Sequence, residues 1–156
     1  MQAPMAGALA GFLATLPMTA AMSAGHRRLP ASQGYPLPPR LITERVTAGL
    51  GGEAAQRELT AALHYAYGAL AGAGYPWLAP RDARRDLASG AGFGLLVWTG
   101  SYLGWIPAAG ILRPATCHPG RRTLLMLAAH VVWGASTAVL TRLLDGHDTA
   151  PRQRSG

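Results

Sequence analysis

The sequence predicts an all-α fold, an integral membrane bundle of four transmembrane helices. Hydrophobic residues make up 49% of the 156 residues, and charged residues only 13%. Four windows contain no Asp, Glu, Arg or Lys, and each is close to the roughly 20 apolar residues with which a helix crosses a bilayer. These windows are residues 1–25, 59–80, 87–112 and 123–141.

A soluble four-helix bundle is the alternative fold, and it needs a polar face along each helix. The third and fourth windows contain GFGLLVWTGSYLGWIPAAGIL and TLLMLAAHVVWGASTAVLT, whose polar groups are only Ser, Thr, Tyr, Trp and one His. The first window could also be a secretory signal, but no Lys or Arg precedes Arg27 to supply its positive start. We therefore expect four uncleaved spans, with the lipid bilayer as their partner.

Each predicted helix takes its bounds from a charge-free window and the turn-forming residues around it. Helices one and two, and helices three and four, would form two tandem hairpins, and Pro17 and Pro107 near the ends of helices one and three fit this arrangement. A disordered tail is predicted at residues 146–156. The helices are predicted at about residues 5–24, 57–78, 88–112 and 122–143, in one transmembrane domain of residues 1–145.

The long connection of residues 26–56 divides into two parts. Its Pro-rich part, YPLPPR, favours an extended polyproline-like run. The following LITERVTAGL has apolar residues at helical spacing, which predicts a short amphipathic helix on the membrane surface. Gly51 and Gly52 then end this helix. We interpret the connection as a linker, and a gate or docking element is the functional alternative.

Small residues recur at every fourth position along the predicted helices. In lipid there is little hydrophobic drive between helices, so small residues that allow close backbone approach typify their interfaces. Packing is therefore the expected role, with self-association into a homo-oligomer or a membrane complex, and a substrate groove is the alternative. The predicted packing residues are Gly7, Gly11, Thr15, Gly68, Gly72, Gly100, Gly104 and Gly134, and Gly90 with Gly94 forms a further pair.

Two histidines stand inside apolar windows, in HYAYG (His64–Gly68) and HVVWG (His130–Gly134). Helices two and four run in the same direction, so both rings can lie at one depth, facing the bundle interior. Their faces also carry Tyr67, Trp133 and Thr137. The rings could hydrogen-bond to neighbouring helices, form a proton-responsive or substrate site, or ligate haem b as an axial pair. Two histidines without a carboxylate make a poor metal site, so neither metal nor cofactor is expected.

The segments GALAGFLATLPMTAAM, YPLPPRLITERV and HYAYGALAGAGYPWL together resemble the YagU-like family of small bacterial inner-membrane proteins, and HVVWG extends the resemblance into helix four. Its most specific part is the loop motif of Pro38, Pro39, Arg40, Thr43 and Glu44, with His64–Gly68. The resemblance implies a polytopic protein of the bacterial inner (cytoplasmic) membrane. It implies no activity and no catalytic residues.

The remaining chemistry points away from catalysis. No acidic residue lies inside the four charge-free windows, so no Ser-His-Asp set can be assembled there. The net charge of +7 suits anionic lipid headgroups, and nothing else in the sequence indicates nucleic-acid binding. We expect a non-enzymatic structural or accessory membrane component. The alternatives are a small oligomeric transporter or channel with a histidine-lined polar path, and a bis-histidine haem protein.

Overall fold

A computed structural model describes residues 2–48, 50–78 and 86–146. These residues form helices and turns and contain no strand, which confirms the predicted all-α class. Most of the predicted tail, residues 147–156, and the connection at residues 79–85 lie outside the described residues. The helices are α1 (Ala3–His26), α2 (Pro38–Val46), α3 (Glu53–Ala73), α4 (Tyr75–Leu78), α5 (Asp86–Thr99), α6 (Ile106–Ala108) and α7 (Gly120–Gly146).

Two of the described helices are long and apolar enough to cross a membrane, Ala3–His26 and Gly120–Asp145. In the most apolar 18-residue stretch of each helix the mean hydropathy is 1.5 and 1.7, and 44% and 39% of that stretch is buried inside the chain. Apolar side chains therefore cover much of their outer surface, whereas the core helix of a soluble protein would be mostly buried. Among the exposed residues of α1 are Leu9, Phe12 and Leu16.

The bundle is built around a central pair of helices, α1 and α7. Helix α3 packs on α1, and α5 packs on α7. The α1–α3 crossing is close because glycines meet there: a Cβ added to Gly11 would lie 2.8 Å from the Gly72 Cα and would overlap the Gly68 carbonyl oxygen. A Cβ on Gly7 would overlap the Gly72 carbonyl oxygen in the same way. Only residues without a side chain let these two backbones come so near.

The α5–α7 crossing is also close because glycines meet there. A Cβ on Gly90 would lie 2.6 Å from the Ala138 Cβ, and a Cβ on Gly134 would lie 2.7 Å from the Gly94 nitrogen. By contrast, a Cβ on Gly100 would have nothing within 4 Å. One on Gly104 would meet only the Thr99 carbonyl oxygen of its own segment, at 3.9 Å. Gly100 and Gly104 therefore do not form a close helix crossing within this chain.

The reason lies in the backbone, because the third predicted helix does not continue as a regular α-helix. A π-helical segment, Gly100–Trp105, joins α5 to α6, and Gly104 within it has non-helical φ and ψ of −108° and −109°. Helix α6 then ends at Ala108, before the predicted bound near residue 112, and Gly110 turns the chain with a φ of +68°. Glycine adopts such angles without the steric cost of a side chain.

The long connection also differs from its prediction. Helix α2 begins at Pro38, so the PPR part of YPLPPR is helical rather than extended. Proline suits the first turn of a helix, where its fixed φ is already helical and its missing N–H has no partner to lose. Gly51, with a φ of +86°, then turns the chain before α3 begins at Glu53.

Residues 30–37, here called the strap, cross one end of the bundle and are held by a buried arginine. The Arg122 side chain is only 2% exposed. Its guanidinium donates hydrogen bonds to the backbone carbonyls of Gln33 at 3.2 Å, Tyr35 at 2.9 Å and Pro36, and lies 3.7 Å from the centre of the Tyr35 ring. The ring of His26 adds a hydrogen bond of 3.2 Å to the Tyr35 carbonyl.

Candidate functional site

A cavity of about 480 Å³ lies inside the bundle. It is lined by α1, α2, α3, α7 and the π-helical segment with the residues beside it. Thr15 and Trp133 line it near the close helix crossings, and Ile42, Thr43 and Val46 of α2 line it from the side of the connection. This volume is within the range of small-molecule pockets, and the lining is mostly apolar with a few polar groups, as in such pockets.

His130 lines this cavity from α7 and is 6% exposed. Its Nδ1 lies 2.8 Å from the carbonyl oxygen of Met126, one turn earlier on the same helix. Because a carbonyl oxygen can only accept, Nδ1 carries the hydrogen and donates it. In the neutral ring, Nε2 is then a hydrogen-bond acceptor, and it has no partner among the described residues. The edge of the ring faces Tyr102, with the ring centres 5.9 Å apart.

His64 lines the same cavity from α3 and is half-buried. Within the described part of the chain its ring makes no hydrogen bond, and the nearest ring is that of Tyr65, at 6.3 Å. At the rise of an α-helix, about 1.5 Å per residue, His64 lies about 16 Å from the first residue of α3. His130 lies about 15 Å from the first residue of α7. Neither ring bonds to a neighbouring helix, so the hydrogen-bonded packing role that the sequence suggested is not what the structure shows.

Tyr67 and Ser101 form a hydrogen-bonded chain along one wall of the cavity. The Ser101 hydroxyl donates to the carbonyl oxygen of Val97 at 2.7 Å, and the Tyr67 hydroxyl lies 2.7 Å from the Ser101 oxygen. Because the single proton of Ser101 is engaged by Val97, Tyr67 must be the donor in the second bond. This chain connects α3 to the π-helical segment, next to the Trp105 ring at 6.1 Å from that of Tyr67.

Trp133 and Thr137 were predicted to belong to the same polar face of helix four. Trp133 is 2% exposed and lines the cavity, and its indole Nε1 donates to the carbonyl oxygen of Gly11 at 3.0 Å. Thr137 is fully buried one turn further along, and its hydroxyl donates to the carbonyl oxygen of Trp133 at 2.8 Å. Thr137 does not line the cavity, so its contribution is to the packing of α7.

The predicted loop motif lies in α2, which covers the cavity. Thr43 is 1% exposed and donates to the carbonyl oxygen of Pro39 at 2.9 Å, and both residues line the cavity. Arg40 contacts Glu44 on the same helix and Glu53 of α3 at 3.0 Å, which ties α2 to α3. The hydrogen bonds with Glu44 and Glu53 raise the pKa of Arg40, so this tie stays charged.

The cavity opens sideways between α3 and the π-helical segment. Leu63, Leu70 and Trp105 line it and are also 42%, 74% and 46% exposed. Ala66, an exposed residue of α3, stands between them at the same opening. A molecule could therefore reach the cavity from the side of the bundle, past apolar side chains.

Ser101, Tyr102 and Met126 are among the lining residues that reasoning from the sequence missed. Ser101 and Tyr102 stand between Gly100 and Gly104, which were interpreted as a packing stripe. Two adjacent polar residues inside an otherwise apolar window were the available signal. Nothing in the sequence marked Met126 as a lining residue, because methionine is an ordinary residue of an apolar helix.

No group of three or more His, Cys, Asp or Glu that could hold a metal ion occurs within residues 2–48, 50–78 and 86–146. Comparison of the chain with protein-family models, with curated proteins and with solved structures finds no match. The resemblance to the YagU-like family therefore stays a prediction.

Proposed function

We propose that this chain is a non-enzymatic, multi-pass protein of a bacterial inner membrane that binds a small, largely apolar molecule in its central cavity. The observation that carries the proposal is the position of His64 and His130. Both rings line one cavity, and each has a ring nitrogen without a hydrogen-bond partner among the described residues. Polar groups placed in an apolar interior without partners are costly, which favours a ligand that completes them.

In this proposal four segments span the membrane: α1, α3, α5 with its π-helical extension, and α7. Helices α3 and α5 pack on α1 and α7 through glycines, in the manner that lipid favours. Exposed leucines continue along α3 and α5, as a lipid-facing surface requires, and include Leu63, Leu70, Leu87 and Leu96.

A binding role is favoured over catalysis by the chemistry of the lining. Within the described residues no carboxylate and no thiol lines the cavity, and neither histidine ring is hydrogen-bonded to a hydroxyl that it could activate as a nucleophile. The Ser101 hydroxyl donates to a backbone carbonyl rather than to a base. The histidines therefore serve as recognition groups.

The test is photolabelling of the protein in lipid nanodiscs with a small apolar diazirine, which inserts into the side chains that it contacts. We expect adducts on Tyr67, Tyr102 and Met126 inside the cavity. Ala66→Trp, at the lateral opening, should reduce these adducts several-fold. Ala62→Trp, one turn away on α3, exposed and outside the cavity lining, is the matched control and should leave them unchanged.

Adducts confined to outward-facing residues, or cavity adducts that Ala66→Trp does not reduce, would overturn the proposal.

Haem b is the second candidate ligand, because a histidine whose Nδ1–H donates to a carbonyl presents Nε2 as axial ligands do. An absorption spectrum of the purified protein decides it. A Soret band that disappears in His130→Ala would show that the ligand is haem rather than another apolar molecule.

A further inference from the structure

The cavity has a definite hydrogen-bonding character, which follows from where its hydroxyl protons point. The hydroxyl of Thr15 donates to the Gly11 carbonyl at 2.9 Å, and that of Thr43 donates to the Pro39 carbonyl at 2.9 Å. Ser101 donates to Val97 at 2.7 Å. Each of these protons is engaged by backbone, so these oxygens can offer a ligand only lone pairs.

The two larger polar groups follow the same rule. Tyr67 donates its proton to Ser101, at 2.7 Å, and therefore keeps only acceptor capacity toward the cavity. His130 donates from Nδ1 to Met126, so that its neutral ring presents Nε2 as an acceptor. Among the lining residues, His64, Tyr102 and the indole of Trp105 each keep a proton that is not engaged by a described residue, so acceptors still outnumber free donors.

An acceptor-rich apolar cavity selects among head groups. A carboxylate or phosphate would face lone pairs and find no lining arginine or lysine, and a cation would find no carboxylate to offset its loss of hydration. A neutral head group with hydroxyl donors satisfies the unpaired acceptors without these costs. We infer that the ligand is a neutral amphiphile whose head group donates hydrogen bonds from hydroxyls, and this inference rests on the proposed function.

The placement of the two histidines favours a head group with more than one donor. His64 and His130 line one cavity from different helices, α3 and α7, so a head group with two hydroxyls could offer one donor to each ring. The lateral opening past Leu63, Leu70 and Trp105 leaves room for an apolar tail to extend toward lipid. A hydroquinone with an alkyl tail has this shape and chemistry, and it serves as the probe.

The experiment compares three probes that share one ring and one tail: the alkyl hydroquinone, its benzoquinone and its dimethyl ether. Each competes with the diazirine for labelling of Met126 and Tyr102 in nanodiscs, under argon to prevent oxidation. The hydroquinone carries two donors, whereas the quinone and the ether carry none. We expect the hydroquinone to compete at least about tenfold better than either, about 1.4 kcal/mol in binding free energy.

Two variants assign the preference to a residue. His130→Phe removes the Nε2 acceptor and should reduce the advantage of the hydroquinone over its dimethyl ether several-fold. His118→Phe replaces a half-buried histidine outside the cavity and should leave the advantage unchanged. Because the probe comparison uses the unchanged chain, it stays decisive even where His130→Phe does not fold.

The outcomes separate the two proposals. If the cavity is not labelled at all, the proposed function fails. If the cavity is labelled and the three probes compete within about threefold of one another, the binding function stands and the donor selectivity is wrong. If the quinone competes better than the hydroquinone, the polarity assigned to the cavity is reversed and the inference is overturned.

Discussion

The indole Nε1 of Trp133 donates a 3.0 Å hydrogen bond to the carbonyl oxygen of Gly11 and so joins α7 to α1 at the centre of the bundle. Both residues are buried, and Gly11 also supports the α1–α3 crossing. One contact therefore connects the two helix pairs, α1–α3 and α5–α7, next to the Trp133 surface that lines the cavity.

Loss of this bond should cost stability without loss of the aromatic core. Trp133→Phe keeps a ring that can stack on Phe93, whose centre lies 5.7 Å away, but removes the donor. We expect a loss of about 0.6 kcal/mol in unfolding free energy, the average for hydrogen bonds between helices in a membrane protein, and at most about 1.7 kcal/mol. The measurement is unfolding in mixed micelles with increasing SDS. Trp77→Phe, at a 75% exposed site, is the control, and an equal loss there would contradict this role for Trp133.

Two glycines of α5, only two residues apart, should respond in opposite ways to alanine. A Cβ on Gly94 would lie 2.9 Å from the carbonyl carbon of His130 and would overlap its oxygen, so Gly94→Ala must push α5 and α7 apart. We expect a loss of about 1 to 3 kcal/mol. A Cβ on Gly92 has nothing within 4 Å, so Gly92→Ala should be neutral or stabilising by up to about 1 kcal/mol. Thermal melts of the two variants in one detergent compare them, and equal melting temperatures would count against the close crossing.

The strap should loosen when Arg122 is replaced. Arg122→Gln removes the charged donors to the carbonyls of Gln33, Tyr35 and Pro36 and the contact with the Tyr35 ring, at a cost of about 2 to 3 kcal/mol. Limited digestion with elastase, which can cut after Ala31 within the strap, should then proceed many times faster. Arg121→Gln changes the neighbouring exposed arginine and should leave the digestion rate as it is.

The four-span proposal can be tested with the single native cysteine. Cys117 is exposed in the turn between α6 and α7, and in Cys117→Ala protein a new cysteine can be placed at Gln2 or at Leu78. With four spans, a membrane-impermeant maleimide should reach Cys117 from one face and both new cysteines from the other. If only α1 and α7 cross, Leu78→Cys will react from the same face as Cys117.

The sequence was sufficient for features that repeat locally. Charge-free windows predict helices, and the spacing of Gly7 and Gly11, or of Gly68 and Gly72, marks a close crossing because both residues of each pair share one helix face. That His64 and His130 lie inside helices, away from the ends, could also be predicted from their positions in the sequence. That both would face one cavity depends on how far each helix is rotated and where the helices cross, which no local pattern determines.

Arg122 and the π-helical segment illustrate what depends on tertiary structure. An arginine beside Pro119 and Gly120 looks like one of the charges of an exposed turn, yet the unpaired carbonyls of the strap give it a buried place. In Gly100–Trp105, the glycine spacing is equally compatible with a packed α-helix. The segment is π-helical rather than α-helical because Gly100 has no close neighbour to pack against and Ser101 is hydrogen-bonded to Tyr67.

The π-helical segment also bears on how this protein could change over evolutionary time. A π turn holds one residue more than an α turn, and each residue of an α-helix advances its direction by about 100°. Loss of a single codon within Gly100–Trp105 would restore a regular helix and swing Trp105 and Ile106 around its axis, while the glycine crossing of α5 and α7 lies upstream and is undisturbed. Insertions and deletions here could therefore exchange side chains that line the cavity while the rest of the bundle is inherited unaltered.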